Sequence, residues 1–436
     1  MNDTCAPRVT LLGFTVPDDV FARITARDTV LATQTQTFAW AVARSLRAGG
    51  CPVQLVSAAP VSTYPRNRQV VFRGGRFRQD GIDGRLLGFV NLLGAKHLTR
   101  FAAACRSASR GLREHRSDVL MVHGVHSPFL WFGALAARRS DLRVVVVLTD
   151  PPGVAQPTDG RLLRLLRGID VALVRAALRR CTGVVALTSA LAEDFAPGKP
   201  RLVMEGIFAP PPVDRSAPPR PAVREVAYAG GLTRAYGVDR LVEAFRGLPD
   251  PDLRLCLYGR GELTDWLRAQ AEADPRIRPP AVLDRAELVG RLATAAVLVN
   301  PRPVDQGFVR YSFPSKLIEY LAAGVPVVTT RLPGIPPEYA PWLRFAEPDT
   351  ADGLRESIAA VLSLPAAAAR ALGAGGAAFV RNGRSPEAQG ERLRSFLAGL
   401  TAGATGRPAM AGGPTVAVGH RAARADDRDG GVRADA

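Results

Sequence analysis

Cysteine is scarce in this 436-residue chain, and the five that occur, Cys5, Cys51, Cys105, Cys181 and Cys256, stand far apart. None forms a Cys-x-x-Cys pair and no even framework exists, so reduced thiols in a cytoplasmic protein are the simplest expectation. No run of eighteen apolar residues occurs, so no membrane-spanning helix is expected. The first ten residues lack the basic-then-apolar pattern of a signal sequence. Peripheral attachment at the inner membrane face, through basic and apolar surface, stays open. Carboxylates are short against bases: 40 Asp and Glu face 57 Lys and Arg, a net charge of +17. That excess suits an anionic partner: nucleic acid, an acidic membrane or phosphorylated substrates. The bases are scattered and not gathered in an aromatic-laced run, which argues against nucleic acid. A genome-wide bias toward Arg, Ala, Gly and Pro is the plain alternative source of the charge.

What is present is a globular composition, 47% hydrophobic and 22% charged, long enough for two or three domains. Short apolar runs alternate with helical periods. Val9–Phe14, Val53–Ser57, Asp118–His123, Val144–Leu148, Gly183–Leu187 and Arg201–Met204 read as strands, with helices over Thr33–Ala48, Arg85–Glu114, Pro128–Arg138, Arg161–Arg180 and Ser189–Phe195 between them. Tyr64–Gly84 reads as an irregular connection. This order predicts parallel strands joined by right-handed crossovers.

Ala209–Pro221 carries six prolines in thirteen residues, the clearest boundary in the chain. The pattern then restarts: strands at Val226–Tyr228, Leu253–Tyr258, Val297–Asn300 and Val327–Thr330, with helices between and after them. The expected domains are therefore 1–208, a linker at 209–222, and 223–384. A closing helix near 385–400 packs back on the first domain, and 401–436 is a disordered tail. Ligands of such sheets bind at the carboxyl ends of the strands, in the cleft between halves.

The chain is organised around Tyr311–Thr330. Pro314 suits a first helical position, Gly324 and Pro326 a stop, and Val327–Thr330 a buried strand. The amides of Ser315 and Lys316 lack intrahelical partners and, with the Ser315 hydroxyl and the Lys316 charge, form a site for a phosphate or diphosphate. Glu319, four residues after Ser315, is placed to accept hydrogen bonds from vicinal hydroxyls. The competing reading is a capped helix with a surface Lys–Glu pair.

The segment from Phe313 to Val328, Phe-Pro-Ser-Lys-Leu-Ile-Glu-Tyr-Leu-Ala-Ala-Gly-Val-Pro-Val-Val, resembles the nucleotide-sugar region of GT-B glycosyltransferases, above all retaining family 4, the group 1 enzymes. Upstream, Tyr-Ala-Gly-Gly-Leu, Tyr-Gly-Val-Asp-Arg-Leu and Leu-Tyr-Gly-Arg-Gly follow in the order that family shows. The resemblance is strong over 226–330 and weaker over 9–206. It implies an α/β GT-B fold: two Rossmann-like parallel-sheet domains facing each other across a cleft. It also implies that Glu319 binds the donor ribose, that Ser315 and Lys316 contact the diphosphate, and that Gly230 and Gly231 let the backbone approach the phosphates. Two departures stand out. The family's diphosphate-binding arginine and lysine fall on Gly231 and Tyr236; Arg234 in the same loop is the candidate replacement. The family's first glutamate falls on Tyr311, and Arg302, Asp305 and Gln306 are candidate substitutes for its sugar contacts.

In the first half the resemblance implies a histidine at a strand end facing the reacting sugar. His123 matches by spacing and His126 is second; a structural histidine is the alternative for each. Asp150 is an acceptor contact or a loop cap. Without an Asp-x-Asp after a strand, cations and amides, not a metal, are expected to neutralise the departing diphosphate, with no cofactor beyond the donor. The family implies retention, the leaving phosphate taking the acceptor proton. The function expected is transfer from a nucleotide sugar to an unidentified acceptor: a lipid-linked glycan, a polysaccharide or a natural product. A sugar-nucleotide epimerase, a non-catalytic homologue that binds sugar or scaffolds a complex, and a basic nucleic-acid-binding protein are the alternatives.

Overall fold

The computed structural model describes residues 6–26, 28, 33–138, 141–153, 161–208 and 223–402. The proline-rich segment 209–222 and the tail from 403 onward lie outside the described residues.

Fifteen strands are described. The first half holds β1 Val9–Gly13, β2 Val53–Ser57, β3 Val71–Phe72, β4 Gly75–Gln79, β5 Ile82–Leu86, β6 Phe89–Val90, β7 Val119–His123, β8 Arg143–Leu148, β9 Gly183–Ala186 and β10 Arg201–Val203. The second holds β11 Glu225–Ala229, β12 Arg254–Tyr258, β13 Val297–Asn300, β14 Val327–Thr330 and β15 Leu343–Ala346. The first large sheet runs β10-β9-β8-β7-β1-β2-β5-β4 and the second β12-β11-β13-β14-β15. Every pairing in both is parallel except β4 with β5. The apolar runs explain this. Val144–Leu148 buries every residue between helix layers, as a parallel strand covered on both faces requires.

Two stretches differ from the expectations of sequence. Residues 64–84 are not irregular throughout: they contain β4 and β5, and β5 extends the parallel sheet beside β2. Asp80 and Gly81, with φ of 52° and 69°, form the two-residue turn between them. Positive φ at both central residues is the turn that matches strand twist, and Asp-Gly supplies it. Helix then begins at Ala95, not Arg85, and passes through a π-helical turn at Ala104–Ala108 before Ser109–His115.

The chain ends by crossing back. Helix Pro386–Ala402 packs on helix Thr33–Ala48 of the first half, placing Leu393 and Leu397 in its core. The crossing is close because Gly390 meets the Ser45 carbonyl and Gly49, the residue just past the end of the first helix. A Cβ on Gly390 would overlap the carbonyl oxygen of Ser45 and come within 2.6 Å of the Gly49 nitrogen.

In each sheet the strand that comes first in sequence has neighbours on both sides. β1 lies between β2 and β7, and β11 between β12 and β13. The carboxyl ends of these strands are the topological switch points where such sheets receive ligands.

Candidate active site

At the second switch point, β11 runs into Gly230 and Gly231. Space at these glycines is used by the protein itself. A Cβ on Gly230 would lie 2.6 Å from the Tyr228 hydroxyl oxygen, and one on Gly231 2.9 Å from the Tyr236 ring. The Tyr228 hydroxyl donates to the Gly231 carbonyl at 2.9 Å. Both rings thus fold against this turn.

Tyr236 in turn carries Arg302, which follows β13. The guanidinium lies 5.2 Å from the Tyr236 ring centroid and 4.6 Å from that of Phe308. Nη1 donates to Ser312 Oγ at 3.2 Å, while Nε has no partner. Among the described residues Arg302 pairs with no carboxylate, and it is buried. Burial holds its pKa below the ordinary arginine value. A buried, stacked cation of this kind keeps donors in reserve for an oxyanion.

Ser312 leads into the organising helix. The helix spans Lys316–Ala322, so Pro314 sits two residues before it and not at its first position; Leu317 N–H donates to the Pro314 carbonyl at 2.8 Å. The amides of Ser315 and Lys316 donate to no acceptor among the described residues, and Ser315 makes no side-chain cap bond. Lys316 Nζ and Glu319 Oε2 lie 3.1 Å apart on the exposed side. Such a pair is weak in water and yields readily to a ligand.

The remaining second-half candidates are held elsewhere. Arg234 pairs with Asp239 at 3.1 Å, and its amide donates to Glu262 Oε1. Asp305 is exposed, 3.8 Å from Arg240, which also pairs with Asp349. Gln306 accepts the Val309 amide through its carbonyl. Tyr311 is engaged by the first half. Its hydroxyl donates to Asp194 of the first half at 2.6 Å, beside Phe195 and the Arg310–Asp194 pair. The position where the family has its first glutamate therefore bridges the two halves.

A second bridge lies at the hinge. Glu205, fully enclosed, accepts from Tyr339 Oη at 2.7 Å and from Arg384 Nε at 2.5 Å, and Arg384 also reaches Glu338. This network ties the end of the first half, the second half and the crossing helix at one point. Both hinge bonds to Glu205 end on its Oε1.

At the first switch point, His123 ends β7 but is completely buried, with both ring nitrogens unpartnered. Burial pushes its pKa down to about 4, so the ring is neutral. His126 precedes helix Ser127–Ala136 and is partly exposed. Its ring meets Phe14, Phe129 and His97 at 5.1, 4.8 and 5.2 Å, and its Nε2 is unpartnered. Asp150 is exposed after β8 and accepts from its neighbour Thr149. Among the described residues no group of three or more His, Cys, Asp or Glu side chains converges as a metal site.

Residues 223–363 match the family of group 1 glycosyl transferases, and residues 35–203 match glycosyltransferase family 4. A search of curated proteins finds no match. Among solved structures, sucrose-phosphate synthase from Thermosynechococcus elongatus is similar with a TM-score of 0.61 and 17% identity, over 91% of this chain and 100% of that one. A glycosyltransferase from Rickettsia africae gives 0.61 and 13%, over 90% and 98%. HepE from Anabaena, in complex with UDP, gives 0.58 and 14%, over 90% and 100%. With both halves matched in order and the two-sheet architecture shared, the chain belongs to the group 1 glycosyltransferases of the GT-B fold.

Proposed function

We propose that this enzyme transfers a sugar from a nucleotide-sugar donor held on the second half to an acceptor held on the first, with retention and without a metal. The observation that carries the donor site is Arg302. It is a buried cation that pairs with no carboxylate among the described residues, stacked on the very tyrosine that replaces the family's lysine, and bonded to the loop that leads to Lys316. Arg302, Lys316 and the amides of Ser315 and Lys316 neutralise the diphosphate as the glycosidic bond breaks. Glu319 exchanges Lys316 for the ribose hydroxyls. Arg234, paired with Asp239, is the lesser contributor. On the facing half, His126 rather than the sealed His123 contacts the reacting sugar or acceptor. Asp150, Asp305 and Gln306 lie on exposed loops suited to secondary contacts. The departing phosphate takes the acceptor proton, so no carboxylate pair is needed. HepE from Anabaena holds UDP and UDP-glucose in its structures, which supports a uridine nucleotide as the first donor to try.

The test is a thermal-shift panel of nucleoside diphosphates and nucleotide sugars in metal-free buffer. One nucleotide series raises the melting temperature by mass action, and Glu319→Ala loses that rise. A protein that no nucleotide stabilises contradicts the donor site.

One surface supports a peripheral membrane contact. Leu165, Ile169 and Leu173, four residues apart, form an exposed stripe on helix Arg161–Leu178, with Leu98 and Leu93 also exposed and Arg175 and Arg179 on the basic side. Apolar stripe plus arginine suits an anionic bilayer. Co-sedimentation with phosphatidylglycerol vesicles is expected, with loss in Ile169→Glu and weakening at high salt; equal sedimentation of the variant contradicts it.

A further inference from the structure

A cavity of about 270 Å³ opens at the carboxyl end of β1, lined by Phe14, Gln36, Pro60, Val61, Ser62 and Arg100 among others. Arg100 of helix Ala95–Ala103 is in its lining, and Lys96 of the same helix donates to the carbonyl of the lining residue Val61. Arg100 is 4% exposed and Lys96 is 7% exposed. Arg100 lies over Phe89 and Phe14, at 4.3 and 5.1 Å, and donates from Nη2 to the Ala59 carbonyl at 2.7 Å. Its buried Nε has no partner. Lys96 Nζ donates to the Val61 carbonyl at 2.6 Å and to Thr63 Oγ1 at 3.2 Å. An ammonium has three donors and a guanidinium five, so both keep donors unspent.

Neither cation bonds a carboxylate among the described residues. Asp28 is the acid whose charge reaches Lys96, and one of its oxygens already accepts from the Ser62 amide at 2.7 Å and from Asn67 at 3.3 Å. Burial pushes Lys96 down to about 8 and Arg100 down to about 9. The protein therefore holds two desolvated cations side by side against their mutual repulsion. His97 and His126, also lowered by burial, complete the surround. Among the described residues Asp28 offsets the charge on Lys96 but not that on Arg100, so keeping the pair buried is unfavourable unless an anion arrives.

We propose that this cavity receives an anionic group of the acceptor, a phosphate or carboxylate bonded by the spare donors of Arg100, with Lys96 one helical turn away adding its charge and Phe14 covering the adjoining apolar part. The proposal rests on the reading that the acceptor lies on the first half. It would make charge on the acceptor a condition of recognition, while His126, in contact with Phe14, stands next to the group so held.

The test uses histidine side-chain NMR, because His97 and His126 report locally and the second half contains no histidine before residue 420. Inorganic phosphate and acetate are titrated separately into the full-length protein at constant ionic strength set with chloride. A saturable shift of the His97 and His126 signals, with His115 at the far end of the sheet unmoved, is expected for one anion or both. The tighter arm names the group. Arg100→Gln is expected to abolish the shift and Arg100→Lys to keep part of it. Ser62→Glu, at a half-buried lining position, sets a carboxylate in the cavity and should weaken binding at least tenfold even if Arg100→Gln does not fold. Absence of a saturable shift with either anion, or unchanged affinity in Ser62→Glu, overturns the proposal. Nucleotide-dependent stabilisation, measured on the same sample, reads the donor site independently, so either reading can fail alone.

Discussion

The guanidinium of Arg302 stacks 5.2 Å above the ring of Tyr236, joining the loop after β13 to the loop after β11. Tyr236 stands where the family carries a lysine, and the space beside it exists because residue 231 is glycine where the family carries arginine. Two departures from the family pattern therefore have one consequence: they make room for a ring that holds a cation arriving from a different strand. Cation–ring stacking contributes about 0.5–2 kcal/mol, enough to hold a side chain in place. Tyr236→Ala, which leaves every charge intact, is expected to weaken nucleoside diphosphate binding about three- to tenfold through loss of that positioning. Calorimetric titration checks it, and unchanged affinity would show that the ring does not orient Arg302.

The hinge is expected to be a stability determinant. Glu205 is enclosed with Arg384 and Tyr339. Removing Glu205 leaves buried Arg384 with only the exposed Glu338, so the loss is expected at the low end of that for a broken buried pair, about 3 kcal/mol. Glu205→Ala should lower the denaturant midpoint by a corresponding amount. A loss under about 1 kcal/mol, typical of exposed ion pairs, would mean that water reaches Arg384 freely.

Contact between the crossing helix and the first half depends on Gly390. A methyl group there has no room beside Ser45 and Gly49. Gly390→Ala gains helix propensity yet is expected to destabilise the protein by about 1–3 kcal/mol, the ordinary cost of overpacking. If the melting temperature rises instead, helices Pro386–Ala402 and Thr33–Ala48 do not cross as closely as described.

Acid should destabilise the enzyme through His123. Its folded pKa, about 4, lies below the ordinary 6.5 because burial disfavours the charged ring. The unfolded chain therefore binds the proton more readily, so the neutral ring's contribution is complete above pH 6.5 and is lost as pH falls toward 4. His126 carries the same sign. Over that window the His123 contribution is on the order of 3 kcal/mol. Unfolding measured from pH 7 to pH 4 in wild type and His123→Leu should show a flatter dependence in the variant; parallel curves would mean that His123 is hydrated.

The parallel architecture was legible because its strands are continuous apolar runs, as at Val144–Leu148, and because six prolines mark where the second half begins. The strand pair around Asp80–Gly81 was not, since Arg76, Arg78, Asp83 and Arg85 dominate it and only Phe77, Ile82 and Leu86 are large apolar residues. Only the Asp-Gly turn signalled it. Helix Ala366–Gly383 was hidden by alanine and glycine, which leave little periodicity to read. In the site, Lys316 and Glu319 were legible because they lie on one short helix. The pairing of Arg302 with Tyr236, and of Tyr311 with Asp194, was not. Each joins residues distant in the chain, and no local pattern encodes which loops meet at a strand end. His123 and His126 could be placed near the cleft by sequence, but only packing shows that the first is sealed.

The most direct test of the account is the affinity of the best-binding nucleoside diphosphate for wild type, Arg302→Ala and Glu319→Ala in metal-free buffer. A hydrogen bond to a charged group is worth about 1.5–3 kcal/mol, so Arg302→Ala should weaken the diphosphate about 10- to 150-fold. The corresponding monophosphate should lose less. Glu319→Ala should instead remove the preference for a ribose over a 2′,3′-dideoxyribose. Equal diphosphate affinity in wild type and Arg302→Ala would contradict the central claim that the arginine on Tyr236 supplies the charge missing from the family's usual positions.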